Sequence, residues 1–234
     1  MRKIDPIYEG KAKILYTTED PDLLIQYFKD DATAFNAQKK GTIEEKGIMN
    51  NRIATKIFEY LNSVGVTTHL VKSLSDREML VKKVSIVPIE VIVRNRAAGS
   101  LCRLLGLKEG LHLACSTLEF CYKEDSLGDP LINEYHIRAL NLATDEEMKK
   151  ISQMAFAINE HLKKFFLNLN IELIDFKLEF GRYKGDIILA DEISPDTCRL
   201  WEVGTGNKLD KDRFRRDLGN IEEAYKEVLR RVTS

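Results

Sequence analysis

The sequence predicts an α+β protein of two intimate lobes, with the cleft between them as the default ligand site. Two observations carry the division: residues 1–90 read as strands with one helix inserted, whereas residues 91–234 are mixed, with helices and loops dominating from about residue 98. The third is LIDFKLEFG, residues 173–181, where Asp175, Lys177 and Glu179 alternate with Ile174, Phe176, Leu178 and Phe180. A strand sends successive side chains to opposite faces, so one face is core and the other a charged row.

In chain order, IYEGKAKILYTT and LLIQYFKD are strand candidates. EEKGIMNNRIATKIFEYLNSVG then places Ile48, Ile53, Ile57, Leu61 and Val64 on one helical stripe, stopped by Gly65. THLVKSL, EMLVKKV and IVPIEVIVRN read as three more strands. The clearest helix begins at Thr144, where T-D-E-E offers a capping box with Glu147, and Ile151, Met154, Ala155, Ile158, Leu162, Phe165 and Phe166 follow at helical spacing. LIDFKLEFG and IILADEI flank the turn GRYKGD and predict a hairpin that brings Asp191 beside the charged row if the register allows, and the sequence does not fix that register. DKDRFRRDLG reads as a short helix, and Ile221, Ala224, Tyr225, Val228 and Leu229 mark an amphipathic last one.

Bulk composition excludes several classes. Lys+Arg 36 against Asp+Glu 37 gives a formal charge of −1, so no global field favours nucleic acid or an anionic membrane. The N-terminus lacks the apolar core of a signal peptide and no stretch is long and apolar enough to span a bilayer, which predicts a cytoplasmic protein. Cys102, Cys115, Cys121 and Cys198 form no C-x-x-C pair, and His69, His112, His136 and His161 form no H-E-x-x-H, which argues against structural zinc and a disulfide framework.

Several charged constellations are candidates for chemistry. Carboxylates on adjoining strands, Asp175, Glu179 and Asp191, are hard oxygen ligands that suit Mg2+. In YEGKAKILY, Lys11 and Lys13 share one strand face after Gly10, an arrangement suited to a polyphosphate and equally to a solvated strand. Glu90, Ile92, Arg94 and Arg96 fall on one face of a strand that runs into Ala97-Ala98-Gly99-Ser100, where backbone N–H groups, Ser100 and Arg94 suit an anion. A buried Glu90–Arg94 pair is the alternative. DEISPDTCRLWE places Asp196 and Arg199 in a Pro-containing loop. GTGNKL, residues 204–209, fails as a dinucleotide fingerprint for want of a third glycine.

YEGKAK, EEKGIMNN, LVKK, VPIEVIVRNRAAGS, LIDFKLEFG, ADEISPD with RLW, and DKDRFRRDLG together resemble the phosphoribosylaminoimidazole-succinocarboxamide synthase (SAICAR synthetase) family, from residue 8 to 219. The resemblance implies an ATP-dependent ligase of de novo purine biosynthesis. It joins 5-amino-1-(5-phosphoribosyl)imidazole-4-carboxylate to L-aspartate through an acyl phosphate, giving the succinocarboxamide, ADP and phosphate. It also implies a SAICAR synthetase-like fold with an ATP-grasp- or kinase-like nucleotide cleft, residues 1–90 forming the nucleotide-binding lobe and 91–234 the lobe of the metal and substrate sites. On the family pattern Lys11, Ala12 and Lys13 hold phosphates, the strand from Lys82 to Val84 contacts adenine, and Lys123 is another nucleotide contact. Glu179 and Asp191 match the Mg2+–nucleotide carboxylates. Glu90, Arg94, Ser100, Arg199, Lys211 and Arg215 match the ribotide site, with Asp175 and Lys177 nearest the chemistry. A homodimer is implied as well.

One departure stands out: many members carry an aspartate near the end of DDATAFN where this chain has Asn36. Asp175 or another nearby carboxylate could take the proton from aspartate's amine, and the residues alone do not choose between a base and an orienting role. The rival readings are a small-molecule kinase that stops at phosphoryl transfer and a non-catalytic nucleotide sensor. The sensor reading is weakened because Lys177, Glu179 and Asp191 are all present, and a protein kinase because H-R-D and D-F-G are absent.

Overall fold

The glycine of YEGKAK splits the first predicted strand in two. In the computed structural model, which describes residues 1–34 and 39–234, β1 (Pro6–Glu9) and β2 (Lys13–Thr17) flank a turn closed by the Gly10 N–H on the Lys13 carbonyl at 2.9 Å. Lys11 therefore sits in the turn, not beside Lys13 on a strand. β3 (Leu23–Phe28), β4 (Asp31–Ala34) and β5 (Lys39–Thr42) follow. Asn36 lies outside the described residues. Helix α1 (Lys46–Ser63) buries Met49, Ile53, Ile57 and Leu61, with Ile48 half-buried and Val64 exposed, and the chain leaves it through Gly65 at φ 89°. β6 (Leu70–Ser75) and β7 (Glu78–Lys82) complete an antiparallel sheet in the order β1-β2-β3-β7-β6.

β8 (Ser85–Arg96) opens the second sheet and passes through residue 90, where the sequence divides the lobes. After α2 (Ser100–Leu105) comes β9 (His112–Tyr122), an eleven-residue strand in a region expected to be helix and loop. Only Phe120 and Cys121 of β9 are buried, so no period-2 alternation announces it. A 3₁₀ turn (Asp125–Leu127), β10 (Leu131–Ile132) and α3 (Glu134–Ala139) lead to α4 (Asp145–Asn168). The capping box forms as the sequence predicts: Thr144 Oγ1 accepts the Glu147 N–H at 3.1 Å and Glu147 Oε2 accepts the Thr144 N–H at 2.9 Å. α4 buries Ile151, Ala155, Ile158, Leu162 and Phe166 and packs chiefly on β11.

The charged-row strand is β11 (Ile171–Tyr183), followed by β12 (Asp186–Ala190) and β13 (Cys198–Glu202), then α5 (Asp212–Arg215) and α6 (Ile221–Thr233). β11 pairs with β8 along one edge; on the other its second half pairs with β12 and its first half with β13. Arg199 thus belongs to a strand, not to the loop that holds Asp196; the Pro195–Asp196 turn signals mask where β13 begins. Gly181 answers a packing need, because a Cβ there would stand 2.4 Å from Val84 Cγ2. Among the described residues no helix is long and apolar enough to cross a membrane.

Candidate active site

Every residue given a site role by the family resemblance, from Lys11 to Arg215, lies on the wall of one cavity of about 730 Å³ between the two sheets. Its middle is built by register. β11 sets Glu179 opposite Glu90 of β8 and opposite Ala190 of β12, so Asp191, one residue on, arrives at the same level. Asp191 turns the chain sharply, at φ 62°. Lys177 Nζ lies 2.5 Å from Glu179 Oε1, 3.2 Å from Glu90 Oε1 and 3.5 Å from Asp191 Oδ2. Lys13 contacts Asp191 and lies 2.9 Å from Glu192, while Lys123 Nζ is 3.0 Å from Glu179. Glu179, Asp191 and Glu90 are thus offset by lysines from three separate stretches of the chain.

Burial pulls the Lys177 ammonium toward neutrality, but Glu179, Asp191 and Glu90 outweigh it and hold its pKa well above the ordinary value. Burial likewise pushes Asp191 up, and Lys13 and Lys177 overcome it and hold the carboxylate below its usual range. Among the described residues no three acidic, histidine or cysteine side chains form a metal cage by themselves. Mg2+ is commonly held by one or two carboxylates together with substrate phosphates, and Glu179 and Asp191, gathered on one ammonium, offer that donor set.

The second end is rich in guanidinium groups. Asp175 stands opposite Arg94 on β8 and opposite Arg199 on β13. Arg94 does not pair with Glu90, as the strand pattern allowed. Its fork donates to Glu119 through Nε and Nη2, each at 2.8 Å, to Asp175 Oδ2 at 2.9 Å and to Ser100 Oγ at 2.8 Å. Glu90 lies instead beside Lys177. Arg199 Nη1 binds both oxygens of Asp175, at 3.0 and 2.9 Å, and Nε binds Asp212 at 3.0 Å. Its guanidinium passes so close over Gly99 that a Cβ there would fall 2.4 Å from Nη2, at a φ of 57° that already favours glycine. Arg215 donates to Asp212 at 2.7 Å; Lys211 Nζ, 3.8 Å from Asp196, makes no hydrogen bond among the described residues. Arg96 leaves this face: β8 is irregular between Arg94 and Arg96, and the side chain binds Glu172 at 2.6 Å and the Gly110 carbonyl at 3.1 Å.

The opposite end is apolar. Leu15, Leu24, Val81, Val84 and Ile86 line it beside Lys82, while Lys11 reaches Asp125 at 2.7 Å from the turn. Sequence reasoning missed Glu119, on the unrecognised β9, together with Gln26, His69, Glu192 and Asp212. It also missed Lys46, a fully buried ammonium 2.6 Å from Asp196, whose other oxygen takes the Tyr225 hydroxyl at 2.7 Å. EEKGIMNN contains Lys46, but nothing in a helical stripe marks a lysine as buried.

Behind the guanidinium end, Asp210 is fully buried and accepts the N–H groups of Asp212 at 2.7 Å and Leu200 at 2.8 Å. Burial, and then the Asp212 charge, push its pKa up to about 7. A carboxyl raised on folding contributes stability that is complete below its ordinary value near 3.8 and is lost as pH rises through about 7. His69, driven down to about 3 chiefly by burial, has the opposite dependence, since it loses stability as pH falls below about 6.5. The test is therefore differential: between pH 4 and 8 the wild type should lose stability relative to Asp210→Asn in denaturant titrations, and parallel curves would remove Asp210 as the cause.

The chain matches the family model described as SAICAR synthetase over residues 6–232. It is 60% identical over 232 residues to phosphoribosylaminoimidazole-succinocarboxamide synthase of Caldanaerobacter subterraneus subsp. tengcongensis, covering 99% of each chain. A crystal structure of the same-named enzyme from Ehrlichia chaffeensis superposes with a TM-score of 0.96 at 46% identity, covering 98% of each chain. A SAICAR synthetase solved in complex with ADP gives 0.94 at 47% identity, covering 97% of each. With agreement that runs nearly end to end in both sequence and fold, the chain belongs to the SAICAR synthetase family.

Proposed function

We infer that this chain joins 5-amino-1-(5-phosphoribosyl)imidazole-4-carboxylate to L-aspartate at the expense of ATP, giving the succinocarboxamide, ADP and phosphate. One observation carries the residue assignment: a single strand, β11, presents a lysine–carboxylate cluster at Lys177 and Glu179 and a guanidinium-bound carboxylate at Asp175, in one cavity. The cluster suits a nucleotide's phosphates, and the guanidinium end suits a phosphorylated, carboxylated acceptor.

A carboxylate does not condense with an amine directly, because oxide is too poor a leaving group. The acceptor carboxylate takes the γ-phosphoryl group of ATP, releasing ADP and giving an acyl phosphate. The aspartate amine then attacks the carbonyl, the C–N bond forms, the C–O bond to phosphate breaks and the amine loses a proton. Lys11, Lys13, Lys123 and Lys177 neutralise phosphate charge, with Ala12 bringing the turn's backbone close. Glu179 and Asp191 would hold Mg2+, which supplies charge neutralisation on the transferring phosphoryl group. Lys82 and Val84 border the base. Ser100, Arg199, Lys211 and Arg215 hold the ribotide with Glu90, and Arg94 contributes its charge from just beneath the surface. Asp175 serves to orient, since both its oxygens already accept guanidinium N–H groups. In the same reading residues 1–90 form the nucleotide lobe and 91–234 the metal and substrate lobe, and the enzyme works in the cytoplasm as a homodimer, as the family resemblance implies.

The experiment is ADP release with the carboxyimidazole ribotide, with and without aspartate. Sustained turnover is expected only when both are supplied, because the acyl phosphate needs an amine to resolve it. Equal steady-state release without aspartate would favour a kinase that stops at phosphoryl transfer.

A further inference from the structure

Gln26 is an anomaly in its strand. It lies in LLIQYF, where Leu24, Ile25 and Phe28 are buried, and it is itself only 3% exposed, yet it lines the apolar end of the cavity with Leu15, Leu24 and Val81. A buried amide without partners is costly, so its hydrogen bonds have to be accounted for. Its Nε2 donates to the Asp191 carbonyl at 3.2 Å and approaches Met79 Sδ at 3.9 Å. An acceptor at that carbonyl fixes which end of the amide is nitrogen. The oxygen, Oε1, consequently faces the remaining space, and it makes no hydrogen bond among the described residues.

A second uncharged polar group sits beside it. His69 is 3% exposed, borders the same end of the cavity, and its Nε2 has no hydrogen-bond partner among the described residues. Phe58 packs edge-on against the ring at 5.3 Å. Nε2 is itself closed off from the cavity, so the ring adds an edge to this wall while Gln26 Oε1 remains the unpaired neutral acceptor that faces the open space. Apolar side chains around one fixed, unpaired acceptor suit a flat heteroaromatic ring that bears a donor of its own.

We propose that Gln26 Oε1 reads the exocyclic amino group of the nucleobase, making Gln26 a specificity-determining residue that favours ATP over GTP. The proposal rests on the ATP-dependent reading of the same cavity. Adenine presents a donor at its six-position where guanine presents a carbonyl oxygen. Oxygen facing oxygen leaves two buried acceptors unpaired, and a site built to pair a polar group rejects the analogue that lacks it far more strongly than a greasy slot does. The tie to the Asp191 carbonyl holds the amide in place, so the reading atom is fixed before the ligand arrives.

The test is the ratio of kcat/KM for ATP to that for GTP, with ADP and GDP binding measured by calorimetry on the same proteins. Gln26→Leu should lower the ATP/GTP ratio about tenfold or more, mainly by weakening ATP and ADP, with the ribotide and aspartate constants little changed. Gln26→Asn keeps the amide but withdraws it by one methylene, and should give a smaller fall in the ratio. A residue that only braces Asp191 would lower kcat with both nucleotides alike and leave the ratio where it was. That outcome, in folded variants, overturns the proposal. Wild-type protein that binds neither ADP nor GDP would instead defeat the ATP-dependent reading on which it rests.

Discussion

Asp191→Ala is expected to lower kcat by about 10² or more and to raise the Mg2+ concentration needed for half-maximal rate, because electrostatic stabilisation of the transferring group is commonly the largest catalytic contribution. The side-chain contacts make this a clean experiment, with the extra strain of alanine at φ 62° registered by the unfolding curves. Without the Asp191 carboxylate, Lys13 keeps Glu192 at 2.9 Å and Lys177 keeps Glu179 and Glu90, so no buried ammonium is stranded. The backbone tie from Gln26 goes to the carbonyl and survives. Glu179→Ala should match the loss in rate but disturb more, since Glu179 is the nearest partner of Lys177 and also pairs with Lys123. Kinetics at several Mg2+ concentrations, with unfolding curves beside them, separate the two effects. Near wild-type rates in both variants would sink the metal assignment.

Arg94→Ala should cost about 2 to 4 kcal/mol in kcat/KM for the ribotide, mostly as a raised KM, with KM for ATP moving far less. Arg94 is 2% exposed and holds Glu119, Asp175 and Ser100 at once, so its removal strands the buried Asp175 with Arg199 alone and frees the Ser100 hydroxyl to rotate. Glu119, not Glu90, is the carboxylate left without its cation. Arg94→Lys should recover only part of the loss, because an ammonium cannot serve three acceptors with a planar fork. Lys13→Ala is the mirror experiment: it should raise KM for ATP and leave ribotide saturation nearly unchanged. Selective damage to ATP binding in Arg94→Ala would mean that the two ends of the cavity have been assigned the wrong way round.

How far the sequence revealed this site follows from where its residues lie. The β11–β12 hairpin was legible because β11 alternates an apolar face with a charged one and a glycine-containing turn follows it, but the register was not, and neither was the pairing with β8 that sets Glu179 opposite Glu90. The α4 cap and its stripe were legible for the same local reason. β9 was not, because Ser116, Thr117 and Glu119 interrupt any alternation, and with it went the true partner of Arg94. Lys46, Gln26 and His69 escaped because each is a polar residue buried by tertiary packing, which periodicity cannot signal. Lys11 was misplaced by one turn, since a glycine that breaks a strand looks much like one tolerated inside it.

β11 also acts as a ruler. Asp175, at the guanidinium-rich end, and Glu179, in the lysine–carboxylate cluster, are four residues apart on one continuous strand, so their Cα atoms stand about 13 Å apart at the ordinary rise of an extended chain. In the proposed reading phosphoryl donor and acceptor are thus indexed to marks on the same rod, and the span between those marks is set by covalent geometry and not by how two bodies happen to meet. The strand is braced on both edges, by β8 on one side and by β12 and β13 on the other, so the rod cannot readily flex. Any change in the reach from nucleotide to acceptor has to come from the parts that face β11, chiefly the β1–β2 turn and the strands around it. Inserting a single residue between Asp175 and Glu179 would not lengthen the scale by one notch; it would turn Glu179 or Asp175 over to the core side and erase one of the marks.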